Sequence, residues 1–233
     1  MPAETATTLS WIVPAHQEDQ RLALLLADLQ DGLAEGDELI VVDGESQDAT
    51  QQVAGLHGAR VVCCSPNRGA QLRHGVAMAH GHRFVFIHAD SRLAGGAELG
   101  RQLRRLPRGQ AHCFRFKVDD PQLCFRILER LVALRTTVLG LPYGDQGLVI
   151  DRHLYERCGG FRELPLMEDV DLVLRLRAWG GVRQLPHSIC TSARRWHRHG
   201  LLRTSVRNMI LLLRWVLGED SETLKRDYYS QGP

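Results

Sequence analysis

Apolar residues fall first into short unbroken runs separated by polar turns, and only later into looser patterns. Leu9-Ser10-Trp11-Ile12-Val13 reads as a strand stopped at Pro14-Ala15-His16. From Glu18, leucines at positions 22, 25, 26 and 29 recur at helical spacing and end at Gly36-Asp37. Glu38–Asp43 is a second buried strand, and Ala49–Leu56 a short helix with Ser46 and Asp48 placed as caps. Ala59–Cys64 is a third strand. Asn67-Arg68-Gly69 then opens a helix through Leu72, Val76 and Ala79. The run Arg83-Phe84-Val85-Phe86-Ile87-His88-Ala89-Asp90-Ser91 is the most apolar stretch and suits a central strand covered on both faces. Strand and helix alternate at βαβ spacing, which predicts an α/β fold with a doubly wound, mostly parallel sheet and helices on both faces.

The second half is less regular. Ala111–Lys117 alternates like a strand with one exposed face, and Gly147–Ile150 is a short strand. Helices are predicted over Leu123–Leu141, apolar nearly all round, over Met167–Trp179, closed by Gly180-Gly181, and over Leu201–Leu217. The arginines interspersed in the first and last are also a feature of interfacial helices. Core packing against the sheet explains the same pattern and is the expectation, with peripheral lipid contact the lesser reading.

Composition changes this picture little. At 233 residues and 44% hydrophobic, residues 1–233 read as a single domain with a sizeable core. A net charge of +2 gives no footprint for nucleic acid. The six cysteines form no CxxC pair, which suits reduced thiols better than a disulfide frame or zinc site. Met1 to Thr8 lacks a leader pattern and no apolar run approaches a bilayer span, so a cytoplasmic location, at most peripheral to a membrane, is expected.

The chemistry gathers at strand ends. Asp43 and Asp90 close two predicted strands, and ligands of open α/β sheets collect outside such ends. A carboxylate there can hold a divalent cation against phosphate, or equally cap the next turn. Arg68 and Arg73 lie near a helix start that would favour anions. Together these describe a site for a nucleotide diphosphate. There is no GxGxxG after the first strand and no GxxxxGK[ST], which argues against dinucleotide oxidoreductases and P-loop NTPases.

Taken in order, several segments resemble the family-2 glycosyltransferases, which have the GT-A fold. Trp11-Ile12-Val13-Pro14-Ala15-His16-Gln17-Glu18 is similar to their opening strand-proline-Glu signature, and Val41–Thr50 to their VVDDGSxDxT. Asn67-Arg68-Gly69 with Gly75 resembles the segment before their metal strand. His88-Ala89-Asp90 stands where they carry DxD, Glu168-Asp169 where they carry the ED motif, and Arg195-Trp196 where processive members carry RW. Ser192 replaces the usual Gln, so processivity is not implied. Within the family, the chain looks most like the radical-SAM/selenodomain-associated transferases, some tied to arsenosugar biosynthesis.

The resemblance implies an inverting, metal-dependent glycosyltransferase that moves a sugar from a nucleotide diphospho-sugar, a UDP-sugar first, to a hydroxyl acceptor. About 1–110 would bind the donor and about 111–233 the acceptor. Asp169 would be the general base with Glu168 supporting it. Pro14, Glu18, Asp43, Arg68, Arg73, His88 and Asp90 would line the donor site. Asp145, Gln146, Arg195 and Trp196 would lie on the acceptor or phosphate side. Asp90 would hold Mg²⁺ or Mn²⁺, with His197 or His199 as a further ligand; both histidines belong equally to a basic surface run. Two departures stand out: Gly44 replaces the second Asp of the family's DD pair, and His88 the first Asp of DxD. A sugar-1-phosphate nucleotidyltransferase shares the sheet topology, but would carry a Gly-rich basic loop where Pro14–Gln20 is neither. An inactive transferase fold used for binding is the other alternative.

Overall fold

The computed structural model describes residues 7–229, so most of the N-terminal segment on which the absence of a leader was read lies outside it. The first half runs β1 (Leu9–Ala15), α1 (Asp19–Gln30), β2 (Glu38–Asp43), α2 (Thr50–Leu56), β3 (Arg60–Cys63), α3 (Arg68–Met78) and β4 (Arg83–Phe86). It continues with β5 (Ser91–Leu93), α4 (Gly96–Arg105), β6 (Ala111–Val118), α5 (Leu123–Leu139) and a 3-10 turn at Gly144–Gln146. Next come β7 (Leu148–Asp151), α6 (Arg152–Arg157), α7 (Glu168–Leu176), β8 (Val182–Thr191), α8 (Arg194–His199), α9 (Leu201–Val216) and α10 (Ser221–Tyr229).

Eight strands form one sheet in the order β3-β2-β1-β4-β7-β6-β8-β5. The β3-β2-β1-β4 block is parallel throughout, while β7 runs antiparallel to both β4 and β6. The apolar runs are continuous because both faces of this block are covered. Trp11, Val13, Leu39, Val41, Val85 and Ile87 face α1, α2 and α4. Alternate residues Ile12, Ile40, Val42, Phe84 and Phe86 face α3, α6 and α7. All four parallel strands deliver their carboxyl ends to one rim, and that rim positions the site.

Pro14 is tolerated in a central strand because of where it falls. Ile12 is the last β1 residue paired with β4, and its carbonyl takes the Ile87 amide at 3.2 Å. Pro14 follows two residues on, so its missing N–H faces a side where the ladder has already ended.

The long run through Asp90 is shorter as a strand than its apolarity predicts. β4 ends at Phe86, and the Ser91 amide bonds back to the His88 carbonyl at 3.1 Å, making a turn that carries Asp90. The chain then leaves to form β5 on β8 at the opposite edge. The capping expectation is met in part. Asp48 accepts from the Thr50 amide at 3.0 Å, whereas Ser46 accepts from the Gln17 amide at 2.9 Å and so ties the two rim turns together.

The expected core packing of α5 and α9 holds on one side of each helix: Phe125 and Val132 join Phe116 and Val118 of β6 in one cluster, and Leu211 packs with Leu166 and Leu224. The inner face of α5 is Phe125, Glu129, Val132 and Thr136, and its leucine stripe is exposed. Buried Glu129 is held by the Val118 amide at 2.9 Å and by Arg126 at 2.9 Å, so a charged group sits beside Phe125 and Val132 on the inward face while further apolar residues face out.

Candidate active site

The rim is built by turns under conformational strain. Gln17, Glu45 and Met167 are the non-glycine residues with positive φ among those described, at 55°, 60° and 67°. They stand after β1, after β2 and immediately before α7, and such strain collects at functional sites.

Asp43 is fully buried at the end of β2. Its Oδ2 accepts from the Ser46 amide at 3.0 Å and from Gln51 Nε2 at 2.8 Å, while Oδ1 has no protein partner. Gln71 Nε2 bridges the β1 and β2 ends by donating to the Ala15 and Val42 carbonyls at 3.0 and 2.8 Å. A Cβ at Gly44 would lie 3.1 Å from that nitrogen, so Gln71 crowds the place where the family's second Asp stands.

Beyond β4, His88 faces the 3-10 turn and the start of α7. Burial, reinforced by Arg68 and Arg195, pulls its imidazole down to about 3, so the ring is neutral at physiological pH. A Cβ at Gly144 would meet His88 Nε2 at 2.9 Å and Asp169 Oδ2 at 3.1 Å, so only glycine lets this turn sit between them. The Gly144 amide donates to Asp169 Oδ2 at 2.6 Å and the Val170 amide to its Oδ1 at 2.8 Å. Asp145 follows, with Oδ1 shut from solvent and unpartnered. Burial raises its carboxyl, opposed by Arg135 and Arg195 and reinforced by Asp169 and Asp90.

Glu168, 1% exposed, forms an ion pair with Arg68. Burial pushes its carboxyl up, Arg68 draws it down and Asp169 adds to the rise. Arg68 is thus committed to a carboxylate. Arg73 is paired with Glu163 on the surface at 2.9 Å. Glu18 pairs with Arg194 across the rim, and the charge of Asp90 adds to the rise that burial gives its carboxyl.

Three other expected residues have structural work. Gln146 is fully buried, accepting from Thr136 Oγ1 at 2.9 Å and donating to the Phe114 carbonyl at 3.2 Å, so it ties α5 to β6. Trp196 packs edge-on against Phe116 and Phe125 with ring centroids 6.1 and 6.0 Å apart. His197 Nε2 lies 2.8 Å from Asp120 Oδ2. His199 ends the same short helix. Among the described residues no group of three or more His, Cys, Asp or Glu side chains is arranged to hold a metal. Arg195 is exposed, and its charge reaches both His88 and Asp145.

Two residues escaped sequence reading. Arg135 stacks over the Tyr143 ring at 3.5 Å and brings a cation beside Asp145. Neither residue belongs to a motif, and an arginine in an apolar helix carries no signal of its partner.

The rim therefore gathers Asp90, Asp145 and Asp169 with the cations of Arg135 and Arg195. Among the described residues, the three buried carboxylate oxygens without a protein partner, on Asp43, Asp145 and Glu168, all lie along it. Uncompensated hard oxygens suit a divalent cation. With no protein cage, the fit is to an ion held by one or two carboxylates together with phosphate oxygens and water.

The glycosyl transferase family 2 model matches residues 10–162, well over half of the chain. The chain belongs to that family. No curated protein matches its sequence. Among solved structures, glucosyl-3-phosphoglycerate synthase from Mycobacterium tuberculosis, with Mn²⁺, UDP and glucosyl-3-phosphoglycerate, is 22% identical over 80% of this chain and 70% of that one, TM-score 0.57. S. aureus TarS in complex with UDP is 16% identical over 79% of this chain and 60% of that one, TM-score 0.59. The mannosyltransferase PcManGT from Pyrobaculum calidifontis, with GDP-Man and Mn²⁺, is 16% identical over 78% and 56%, TM-score 0.61. At these identities the likeness is one of fold, and the fold of this family-2 glycosyltransferase is GT-A. The matched segment carries the Asp43 and Asp90 strand ends. Glu168, Asp169 and Arg195 lie beyond it, and the Arg68–Glu168 pair joins the start of α7 to it.

Proposed function

We propose that this glycosyltransferase moves a sugar from a nucleotide diphospho-sugar, a UDP-sugar first, to a hydroxyl acceptor with inversion at the anomeric carbon. The finer kinship is to the radical-SAM/selenodomain-associated transferases. Residues up to about 110 would hold the donor and the remainder the acceptor. The observation that carries this reading is the convergence of Asp90, Asp145 and Asp169, from three separate elements, beyond the carboxyl ends of the parallel strands.

Asp169 takes the proton of the acceptor hydroxyl as its oxygen attacks the anomeric carbon. The bond from that carbon to the diphosphate breaks with its electron pair on the departing oxygen. Attack from the opposite side inverts configuration. The Gly144 amide fixes Asp169 Oδ2 and leaves the carboxylate one orientation in which to act. A divalent cation held by Asp90, Mg²⁺ or Mn²⁺, supplies Lewis-acid charge for the leaving diphosphate. Neutral His88 adds no negative charge beside it, and Arg195 adds fixed positive charge. The pair of Arg68 with buried Glu168 holds α7 at the start of α3 so that Asp169 keeps its place.

A thermal-shift screen with UDP, GDP, CDP and dTDP, with and without Mn²⁺, tests the donor. Stabilisation by one diphosphate that requires the ion is expected, followed by its release from the matching nucleotide sugar. Release of pyrophosphate from a sugar phosphate and a nucleoside triphosphate would replace this reading with nucleotidyl transfer. Indifference to all four diphosphates would end both.

A further inference from the structure

α5 and α9 each bury one face and leave a second, apolar stripe facing outward. On α5, Leu123, Ile127, Leu131, Leu134 and Val138 recur at helical spacing and all face outward, Leu131 at 59% exposure. On α9, Leu202, Val206, Met209, Leu213 and Val216 do the same, Leu213 at 54%. A groove lined by Cys124, Ile127, Leu201 and Leu202 joins the two stripes at their amino ends. A continuous apolar face of this size marks an interaction surface.

Charge says what kind of surface covers it. α5, α8 and α9 together carry nine arginines and one carboxylate, Glu129, which is buried on the inner side. Arg130 lies beside the α5 stripe, three residues from Ile127 and four from Leu134. Exposed Arg203 lies on α9 beside Leu202 and exposed Arg198 on α8, whereas Arg214 is paired with Glu219 and Asp227 and Arg207 stacks over Tyr228. Arginines edging an apolar stripe can lay their stems on hydrocarbon and their guanidinium groups among lipid phosphates. A second copy docked face to face about a two-fold axis would instead set these arginine-rich rims against one another.

We propose that α5 and α9 form a docking face for an anionic lipid bilayer. No helix among the described residues is long and apolar enough to cross a membrane, so the helices lie in the interface plane. Arg195 on α8, which immediately precedes α9, reaches toward Asp145, so the docked face adjoins the rim. The proposal is independent of which sugar is moved.

Sedimentation of the full chain with vesicles of phosphatidylcholine, alone or mixed with phosphatidylglycerol, tests it. Binding about tenfold or more tighter to the anionic vesicles is expected. Leu131→Gln with Leu213→Gln should weaken binding about tenfold, and Arg130→Gln with Arg198→Gln should abolish the preference for phosphatidylglycerol. All four positions are exposed, so thermal melts should match the parent and exclude misfolding as the cause. Failure to bind either vesicle, or equal binding that ignores the substitutions, overturns the proposal. Light scattering that finds a dimer, split by the leucine substitutions, also overturns it by assigning the face to a second copy.

Discussion

Arg68 at the start of α3 and Glu168 at the start of α7 pair across a separation of 100 residues, the carboxylate all but sealed from water. This pair fastens the carboxyl-terminal helix that carries Asp169 to the parallel half. A buried carboxylate that loses its cation keeps the full desolvation penalty. Arg68→Ala should therefore cost about 3 kcal/mol of stability. Glu168→Gln removes the charge and keeps the volume, so it should cost less than about 1.5 kcal/mol. Urea unfolding of the single and double variants gives the coupling directly, and the double should recover much of the Arg68→Ala loss. A neutral Arg68→Ala would mean that the pair does not fasten α7.

Asp90 stands in the turn beyond β4, where its charge reaches Glu18 on one side and Asp145 on the other. Among the described residues no cage of three metal-capable side chains supports it, so binding of ion and diphosphate should be mutually dependent. Asp90→Asn should weaken Mn²⁺-dependent binding of the nucleoside diphosphate by about 1–3 kcal/mol, the scale of a lost charge-assisted contact. Calorimetry with and without chelator measures it. Equal affinity in parent and variant would remove the ion from Asp90.

The parallel half is legible because a strand buried on both faces must be apolar through its interior, as Leu39–Val42 and Phe84–Ile87 are. The carboxylates at their ends stand out against those runs. β8 is hidden for the opposite reason. Polar residues fill half of it without alternation, and it carries Pro186 where Leu185–His187 bulges out of the pairing with β6. α5 and α9 show the limit of periodicity. A stripe of leucines gives a helix and a face, but whether that face meets the sheet or the outside depends on partners distant in sequence. Glu129 inside and Leu131 outside reverse the ordinary reading. At the site, Asp90 and Asp169 could be singled out locally, whereas the Arg68–Glu168 and Arg194–Glu18 pairs join segments that nothing local connects.

His112 on β6 makes stability depend on pH. It is 6% exposed, and burial, reinforced by Arg83 and Arg183, pulls its imidazole from 6.5 down to about 4, with the Gln110 backbone opposing. Between those values the unfolded chain binds the proton and the folded chain does not, so stability must rise with pH across that window and fall as pH drops through it. The loss attributable to this ring should be on the order of 2–3 kcal/mol by pH 4. His112→Gln should flatten that part of the stability profile, measured by denaturant unfolding at successive pH values. An unchanged slope would assign the acid sensitivity to other groups.

Asp169 should act in the chemical step alone. Its two oxygens are held by the Gly144 and Val170 amides at 2.6 and 2.8 Å, so its orientation does not depend on bound donor. A base contributes only as the acceptor proton leaves, and removing one typically costs about 10²–10⁴ in rate. Asp169→Asn keeps the volume and one acceptor oxygen for Gly144 but cannot take the proton. Turnover should fall by that factor while the diphosphate binds with parental affinity, the reverse of Asp90→Asn. Rapid-quench measurement of a single turnover separates the step from product release. A variant that retains parental turnover would leave Asp169 as an anchor for the Gly144 turn and require another base for the reaction.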